Sequence, residues 1–408
     1  MANKEAFKLL ELLGCGTFAR THKAQVLPPR LIEQYGTDIV ALKIPLDEEK
    51  AEALKREVKM YEWLKDHLDR LQPPNVIRYL DFRPYENQIV MAMEYVEHGS
   101  LRDLIARSGR QRQLPVNEAV RITKGVLRGL AVIHGERVFH RDIKPENILM
   151  DGRTPKLTDL GVSKMLESNE LASTTCGTIC YMSPEILSTE GAAFPSDIWS
   201  TGVTLYEMLT GQLPFGGIGR PLKEMVDLIC YADPAPVQEL RPEVPVALGD
   251  IVSRSMHKDS RQRYGSAREM YEALEHFERG CNEKLDKELA SIQAAMSALD
   301  QSGAIETRLL GLLREYPHNT QVHRHLGAFY NRCSRHEEAI KAFRQGLECD
   351  PDDALLHWDL AVTYHSVNRL TDAIDSAKRA LALGLNTRLH RHAINFLRKL
   401  GDKDYGAV

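Results

Sequence analysis

The beginning of the chain alternates apolar and polar residues in short stretches, a pattern typical of β-strands. Two of these stretches flank the turn Gly14-Cys15-Gly16-Thr17, which predicts a hairpin. The predicted strands are 7–13, 21–26, 39–44, 77–82 and 88–95. The connection at 25–38 is longer than a tight hairpin needs. The pattern therefore predicts a strand-rich lobe at the start of the chain.

Helical spacing begins in the segment 51–68, where Leu54, Val58 and Tyr61 recur on one side between charged residues. This segment predicts an amphipathic helix within the strand-rich lobe. Further helical patterns cover 116–135, 196–210 and 222–230. The order of these elements predicts that a helical lobe follows the strands.

Beyond about residue 278 the patterns are entirely helical, and they contain an internal repeat. The pairs that recur after about 34 residues are Leu326 and Leu360, Tyr330 and Tyr364, Ala339 and Ala373, Ile340 and Ile374, and Pro317 and Pro351. The period resembles the tetratricopeptide repeat, where small residues such as Gly327 and Ala361 let the helices of one unit approach closely. A degenerate unit at 286–319 and a cap at 389–400 would complete the stack. The alternative is a plain helical bundle with a chance repeat.

These patterns predict two domains joined by a helical linker. The first domain covers 1–278, with lobes at about 1–95 and 96–278. The linker covers 279–301, with a short helical connection near 279–289. The repeat domain covers 302–408, or starts near 286 if the degenerate unit belongs to it.

Composition and charge narrow the possible partners. The chain has 408 residues, 43% of them hydrophobic, and a formal net charge of -4, with its Lys and Arg residues scattered among Asp and Glu. The sequence has no stripe of basic residues that would indicate nucleic-acid binding, and no apolar run approaches the length of a membrane span. The seven cysteines lack metal-ligand spacing and are expected to be free thiols. We therefore expect a cytoplasmic protein.

Several residues have the types and spacing that phosphate chemistry requires. Gly14 and Gly16 stand in a turn where missing side chains let backbone N–H groups approach phosphates. Lys43, in Val40-Ala41-Leu42-Lys43, can hold phosphates if a carboxylate fixes its ammonium group. Glu57 on the amphipathic helix is the predicted partner, and Glu52 is the alternative.

The most specific pattern is His140-Arg141-Asp142-Ile143-Lys144-Pro145-Glu146-Asn147, followed by Asp159-Leu160-Gly161. With these motifs the chain resembles the eukaryotic-type protein kinases, specifically the serine/threonine branch, over roughly 7–278. The resemblance implies an α+β bilobal protein kinase fold, followed by an all-α tetratricopeptide-repeat solenoid.

The resemblance also implies a role for each site residue. Asp142 would accept the proton of the substrate hydroxyl, Lys144 would contact the transferring phosphate, and Asn147 and Asp159 would bind Mg²⁺ or Mn²⁺. Lys43 would hold the phosphates of ATP, supported by Glu57. The residues expected around ATP are Leu13, Gly14, Cys15, Gly16, Ala41, Lys43, Met93, Glu94, Val96 and Leu149.

The resemblance includes departures and supporting elements. Ala19 replaces a glycine of the phosphate loop, and Leu160 replaces the usual Phe. Glu185 is expected to pair with Arg263, and Asp197 to brace the catalytic loop. The candidate phosphorylation sites of the activation segment are Ser173, Thr174 and Thr175, whereas Thr178 is expected to help position Lys144.

Three functional hypotheses follow. The first is transfer of the ATP γ-phosphoryl group to Ser and Thr hydroxyls of protein substrates. The repeat groove would then bind a peptide or protein ligand, to recruit partners or to dock on the kinase domain. The second is a catalytically dead kinase that acts as a scaffold, and the third is a kinase for small molecules. The intact set Lys43, Glu57, Asp142, Asn147 and Asp159 favours the first.

Overall fold

The structure is a computed structural model that describes residues 6–16, 18–85, 88–160, 176–188, 194–217, 219–297, 303–317 and 319–401. The chain divides into two compact units, Met1–Phe277 and Glu278–Val408. Among the described residues, no helix has the length and apolar character needed to cross a membrane.

The first unit begins with an antiparallel five-stranded sheet. Its strands are β1 (Phe7–Cys15), β2 (Ala19–Val26), β3 (Ile39–Pro45), β4 (Tyr79–Tyr85) and β5 (Gln88–Glu94), in the order β1-β2-β3-β5-β4. A two-stranded sheet, β6 (Ile148–Asp151) and β7 (Thr154–Leu157), lies in the second lobe. All of the strands predicted in the first lobe are present, with shifted ends. Ile77 and Arg78 fall outside β4, which instead extends to Tyr85.

The long connection between β2 and β3 contains a helix that the sequence analysis missed, α1 (Pro29–Tyr35). Proline is well placed in the first turn, and Gly36 ends the helix with a φ of 72°. Tyr35 is 2% exposed and donates its hydroxyl hydrogen to Asp81 at 2.8 Å. The connection therefore forms part of the lobe's core.

Helix α2 (Glu48–Leu71) carries the predicted carboxylate partner of Lys43. Asp47 caps its first turn by accepting a hydrogen bond from the N–H of Lys50 at 2.8 Å. Its apolar face, which includes Leu54 and Tyr61, is buried, and the helix packs on β3, β4 and β5. This packing aims the same face, and with it Glu57, at the sheet.

The second lobe is mostly helical, as predicted. Its helices are α3 (Leu101–Arg107), α4 (Val116–Gly135), α5 (Cys176–Ile179), α6 (Pro184–Leu187), α7 (Phe194–Thr210), α8 (Leu222–Tyr231), α9 (Val237–Leu240) and α10 (Val246–Ser255), with 3₁₀ turns at Pro145–Asn147 and Ser260–Gln262. Every residue of α7 from Ser196 to Thr210 is buried. Helix α7 is therefore the core of this lobe.

A buried ion pair fixes the end of the activation segment to this lobe. The Arg263 guanidinium, with a side chain 0% exposed, donates to both carboxylate oxygens of Glu185 at 2.7 and 2.8 Å. This bidentate geometry is the strong form of an Arg–carboxylate contact. The predicted pair is confirmed.

Helix α11 (Ala267–Ser297) begins in the first unit and continues into the second without interruption. The short connecting helix predicted near 279–289 is therefore not a separate element. Its apolar residues Leu285, Leu289, Ile292 and Met296 are buried in the same cluster as the repeat residues Leu326 and Phe343.

The remaining helices form pairs at the predicted repeat. They are α12 (Gly303–Glu315), α13 (Thr320–Arg332), α14 (His336–Cys349), α15 (Ala354–Ser366), α16 (Leu370–Leu383) and α17 (Thr387–Lys399). Helices α13 and α14 pack together, as do α15 and α16. A Cβ atom on Gly327 would overlap the ring of Phe343, which explains the small residue there. The predicted repeat packing is confirmed.

The close approach at Gly327 gives a test of the repeat unit. We expect Gly327→Ala to lower the free energy of unfolding by about 1–3 kcal/mol, because the added methyl group overpacks the interface with Phe343. Gly311→Ala, on α12, is the control: its Cβ would meet open space, so better helix propensity should raise stability by about 0.5–1 kcal/mol. Urea unfolding of the full chain measures both, and equal effects would contradict the packing described.

Candidate functional site

Strand β3, helix α2 and the segment after β7 bring three charged side chains together in the first unit. The Lys43 ammonium donates to Glu57 Oε1 at 2.9 Å and to Oε2 at 2.8 Å, and it also contacts Asp159. Glu57 is 6% exposed, so the pair is buried. The structure thus places Glu57 beside Lys43.

The charges in this cluster do not balance, because one ammonium group faces two carboxylates. Burial, which is the largest effect, and the Asp159 carboxylate raise the pKa of Glu57 to about 7 against the opposing effect of Lys43. Burial alone would lower the pKa of Lys43, but Asp159 and Glu57 together raise it well above its usual value. When Glu57 is ionised, the cluster therefore carries excess negative charge, which a cation would stabilise.

The loop before β6 holds Asp142 in a network of hydrogen bonds. The Asn147 amide donates to the Asp142 carbonyl at 2.9 Å and to its carboxylate at 2.8 Å. The Lys144 ammonium lies 3.0 Å from the same carboxylate and donates to the Thr178 hydroxyl at 2.9 Å. These contacts fix the Asp142 side chain, and Thr178 lies beside Lys144 as predicted.

Asp197, at the start of α7, supports this loop from the core. Its carboxylate accepts hydrogen bonds from the backbone N–H groups of His140 at 2.9 Å and Arg141 at 2.8 Å. Burial lowers the pKa of His140, which favours the neutral ring, and its Nε2 lies 3.0 Å from the Thr158 carbonyl. The predicted bracing role of Asp197 is confirmed.

Two residues of the site have left-handed backbone conformations without being glycine. Arg141 has a φ of 64° and Asp159 a φ of 58°. Such conformations cost free energy and persist where surrounding contacts determine them. Both residues belong to the sequence motifs of the site, although five other described non-glycine residues also have a positive φ.

The predicted nucleotide residues lie on strands of the first unit or within two residues of one. Leu13, Gly14 and Cys15 end β1, and the Gly16 N–H closes the turn by donating to the Ala19 carbonyl at 2.9 Å.

Ala41 on β3 pairs with Met93 on β5, and both side chains are buried. Glu94 ends β5 and pairs with Lys156 at 2.9 Å, while Leu149 lies in β6. Val96 follows β5, and no backbone hydrogen bond joins its N–H to another described residue.

The site residues fit a divalent cation with oxygen ligands. Asp159 contributes the second carboxylate of a cluster that has one ammonium group. The Asn147 amide nitrogen is engaged by Asp142, which leaves its amide oxygen as the ligand atom. Carboxylate and amide oxygens are the ligands that Mg²⁺ and Mn²⁺ prefer.

A second charged network beside the catalytic loop was missed by the sequence analysis. The Arg102 guanidinium donates to Glu146 at 2.9 Å, to Glu207 at 2.6 Å and to the Tyr181 hydroxyl at 2.6 Å. Its carboxylate partners lie 44 and 105 residues away in the sequence. No local pattern could have linked them.

Tyr61 was also missed as a site residue, because its helical spacing was interpreted only as packing. Its hydroxyl accepts a hydrogen bond from the backbone N–H of Leu160 at 3.1 Å. Its position one turn after Glu57 on the same helix face was the signal that could have identified it.

Several predicted positions lie outside the described residues: Thr17 of the phosphate loop, Gly161 after Leu160, and the candidate phosphorylation sites Ser173, Thr174 and Thr175. The side chain of Glu52, the alternative partner of Lys43, is also not described. The phosphorylation sites stay predictions.

Comparison with known families gives two matches. Residues 7–277 match the protein kinase domain, and residues 327–368 match the TPR repeat. Similar proteins include a "probable serine/threonine-protein kinase" of Clostridium perfringens, 31% identical over 279 residues. One with the same description in Lactococcus lactis is 34% identical over 206 residues. A "CBL-interacting serine/threonine-protein kinase" of Arabidopsis thaliana is 33% identical over 220 residues.

These alignments cover only part of this chain and of each relative. They span 68%, 49% and 51% of this chain, but 39%, 32% and 39% of the respective relatives. The similarity is therefore between domains and not between whole proteins. Protein kinase domains use ATP and a divalent metal ion, in agreement with the site geometry.

The raised pKa of Glu57 predicts how stability depends on pH in the metal-free protein. The folded state holds a proton on Glu57 up to about pH 7, whereas the unfolded chain releases it near its usual, lower pKa. This residue therefore makes stability fall as pH rises between those values. We expect Glu57→Gln to show a shallower fall between pH 5 and 8 in thermal unfolding.

Glu62→Gln is the matched control, because Glu62 is exposed on the same helix. Its pH dependence should equal that of the unchanged chain. Identical slopes for all three proteins would contradict the raised pKa assigned to Glu57.

Proposed function

The chain belongs to the protein kinase domain family, and we propose that it transfers the γ-phosphoryl group of ATP to Ser and Thr hydroxyls of proteins. The observation that carries this proposal is the assembly of two groups of residues in one unit. Lys43, Glu57 and Asp159 form one ion-paired cluster, and Asp142 and its partners form the other. Such an arrangement suits a reaction that depends on positioning and on charge neutralisation.

Each residue has a defined task in this proposal. When bound, ATP supplies the phosphoryl group and the divalent ion neutralises the developing charge. Lys43, fixed by Glu57, binds phosphate oxygens, and Asn147 and Asp159 hold the metal. Asp142 accepts the proton of the substrate hydroxyl, because Asn147 keeps its carboxylate oriented. Lys144, anchored by Thr178, stabilises the transferring phosphate.

The preference for Ser and Thr rests on Lys144, two residues after the proposed base. Its contacts with Asp142 and Thr178 join the catalytic loop to the segment that ends at Glu185. Two relatives with the printed description "probable serine/threonine-protein kinase" support the same specificity. No feature of the described residues favours the dead-kinase alternative.

The repeat unit is proposed to bind a protein or peptide partner and so to recruit substrates or regulate the kinase domain. Stacked repeats present an extended surface that suits such ligands. We propose a kinase domain at 1–278. The burial of Leu285 and Leu289 among the repeat residues favours the earlier start of the repeat domain, near 286, over a start at 302.

Loss of the proposed base should separate catalysis from binding. We expect Asp142→Asn to lower the rate of phosphoryl transfer by about 10²–10⁴-fold with little change in ATP affinity, because the base does not hold the nucleotide. Asp151→Asn is the control: this side chain, on nearby β6, is 56% exposed and should not affect the rate. Steady-state rates and calorimetric ATP binding measure both. An unchanged rate for Asp142→Asn would contradict the assignment.

Removal of the repeat unit tests recruitment. A chain that ends at Phe277 retains the first compact unit with its own hydrophobic core. If the repeats recruit a protein substrate, KM for that substrate should rise, because effective concentration is lost, whereas the rate on a short generic peptide should stay the same. Equal KM values for the protein substrate would exclude recruitment, and a faster rate on the peptide would indicate autoinhibition.

A further inference from the structure

Two tyrosines stack behind the Lys43–Glu57 pair. Tyr61, on α2 one turn after Glu57, is 2% exposed, and its ring stacks on that of Tyr79 from β4. The stack lies against the inner side of a cavity of about 450 Å³ between α2 and β4. Of the predicted nucleotide residues only Glu94 borders this cavity, so it is separate from the nucleotide site.

The two hydroxyl groups differ in their partners. The Tyr61 hydroxyl accepts the hydrogen bond from the backbone N–H of Leu160 at 3.1 Å. The Tyr79 hydroxyl oxygen is buried beside the hydroxyls of Tyr61 and Thr158, and among the described residues it is Tyr61, not Tyr79, that bonds the Leu160 N–H. Burial raises the pKa of Tyr61 well above its usual value, so its hydroxyl is neutral at physiological pH.

The bonded N–H lies at a sensitive position. Leu160 is 3% exposed, so its backbone N–H requires a protein partner, and Tyr61 supplies it. The peptide bond of this N–H follows Asp159, whose φ of 58° must be maintained by its surroundings. Without the bond, other conformations of the Asp159–Leu160 peptide would become more accessible.

We propose that the Tyr61 hydroxyl is a positioning group for the metal-binding carboxylate of Asp159. It holds the Asp159–Leu160 peptide in its left-handed turn and joins it to the helix that carries Glu57. The inference rests on the proposed function, since it assigns Asp159 the metal. It adds a specific consequence: α2 fixes both the partner of Lys43 and the metal ligand, through side chains one helical turn apart.

The tyrosine pair provides matched variants in the full chain. Tyr61→Phe keeps the ring, the stack and the cavity wall but removes the bonded hydroxyl. Tyr79→Phe removes the neighbouring hydroxyl but keeps the Tyr61 hydroxyl that bonds Leu160, and it serves as the control. The first readout needs no metal or nucleotide: amide hydrogen exchange at Leu160 should be about tenfold faster in Tyr61→Phe and unchanged in Tyr79→Phe.

The second readout is nucleotide binding by calorimetry across Mg²⁺ concentrations. We expect Tyr61→Phe to leave ATP affinity without metal unchanged, and to raise the Mg²⁺ concentration for half-maximal enhancement of binding about tenfold. Excess Mg²⁺ should restore kcat.

If amide exchange at Leu160 and the Mg²⁺ dependence of ATP binding are the same in Tyr61→Phe as in the unchanged chain, the inference is overturned and the proposed function remains intact. Equal defects in both variants would also overturn it, because they would indicate loss of general packing. Absence of Mg²⁺-dependent ATP binding in the unchanged chain would instead refute the proposed function.

Discussion

The ion-paired cluster of Lys43, Glu57 and Asp159 is the interaction on which the rest of the site depends. Its members come from the sheet, from α2 and from the segment after β7, so all three must pack correctly before the cluster forms. Two carboxylates face one buried ammonium group, and burial together with the Asp159 carboxylate raises the pKa of Glu57. A bound cation would offset this imbalance of charge, and the site is less stable without one.

The core of the second lobe performs the corresponding task for the catalytic loop. Helix α7 is buried along nearly its whole length. Asp197 in its first turn accepts hydrogen bonds from two backbone N–H groups of the catalytic loop. The Glu185–Arg263 pair fixes the end of the activation segment to the same lobe. Rigid elements thus hold the reacting residues, and the strained backbone at Arg141 and Asp159 is maintained by these contacts.

The sequence predicted the parts of the site that are encoded in contiguous motifs or in helical periodicity. Asp142, Asn147 and Asp159 follow from their motifs, and Glu57 from the face of an amphipathic helix. Arg102 could not be predicted, because its carboxylate partners are distant in sequence. Helix α1 was missed because the segment 25–38 was interpreted only as a long connection, although a proline such as Pro29 suits a first helical turn. The continuity of α11 was missed because a change in composition at the domain boundary does not end a helix.

The most direct test of the central claim is transfer of labelled phosphate from ATP with Mg²⁺ to the chain itself and to a generic basic protein. The unchanged chain is compared with Asp159→Ala, which removes the proposed metal ligand. The account predicts transfer by the unchanged chain and none by the variant. If the unchanged chain shows no transfer and binds no nucleotide, the account is contradicted. That result would favour a scaffold whose function resides in the repeats.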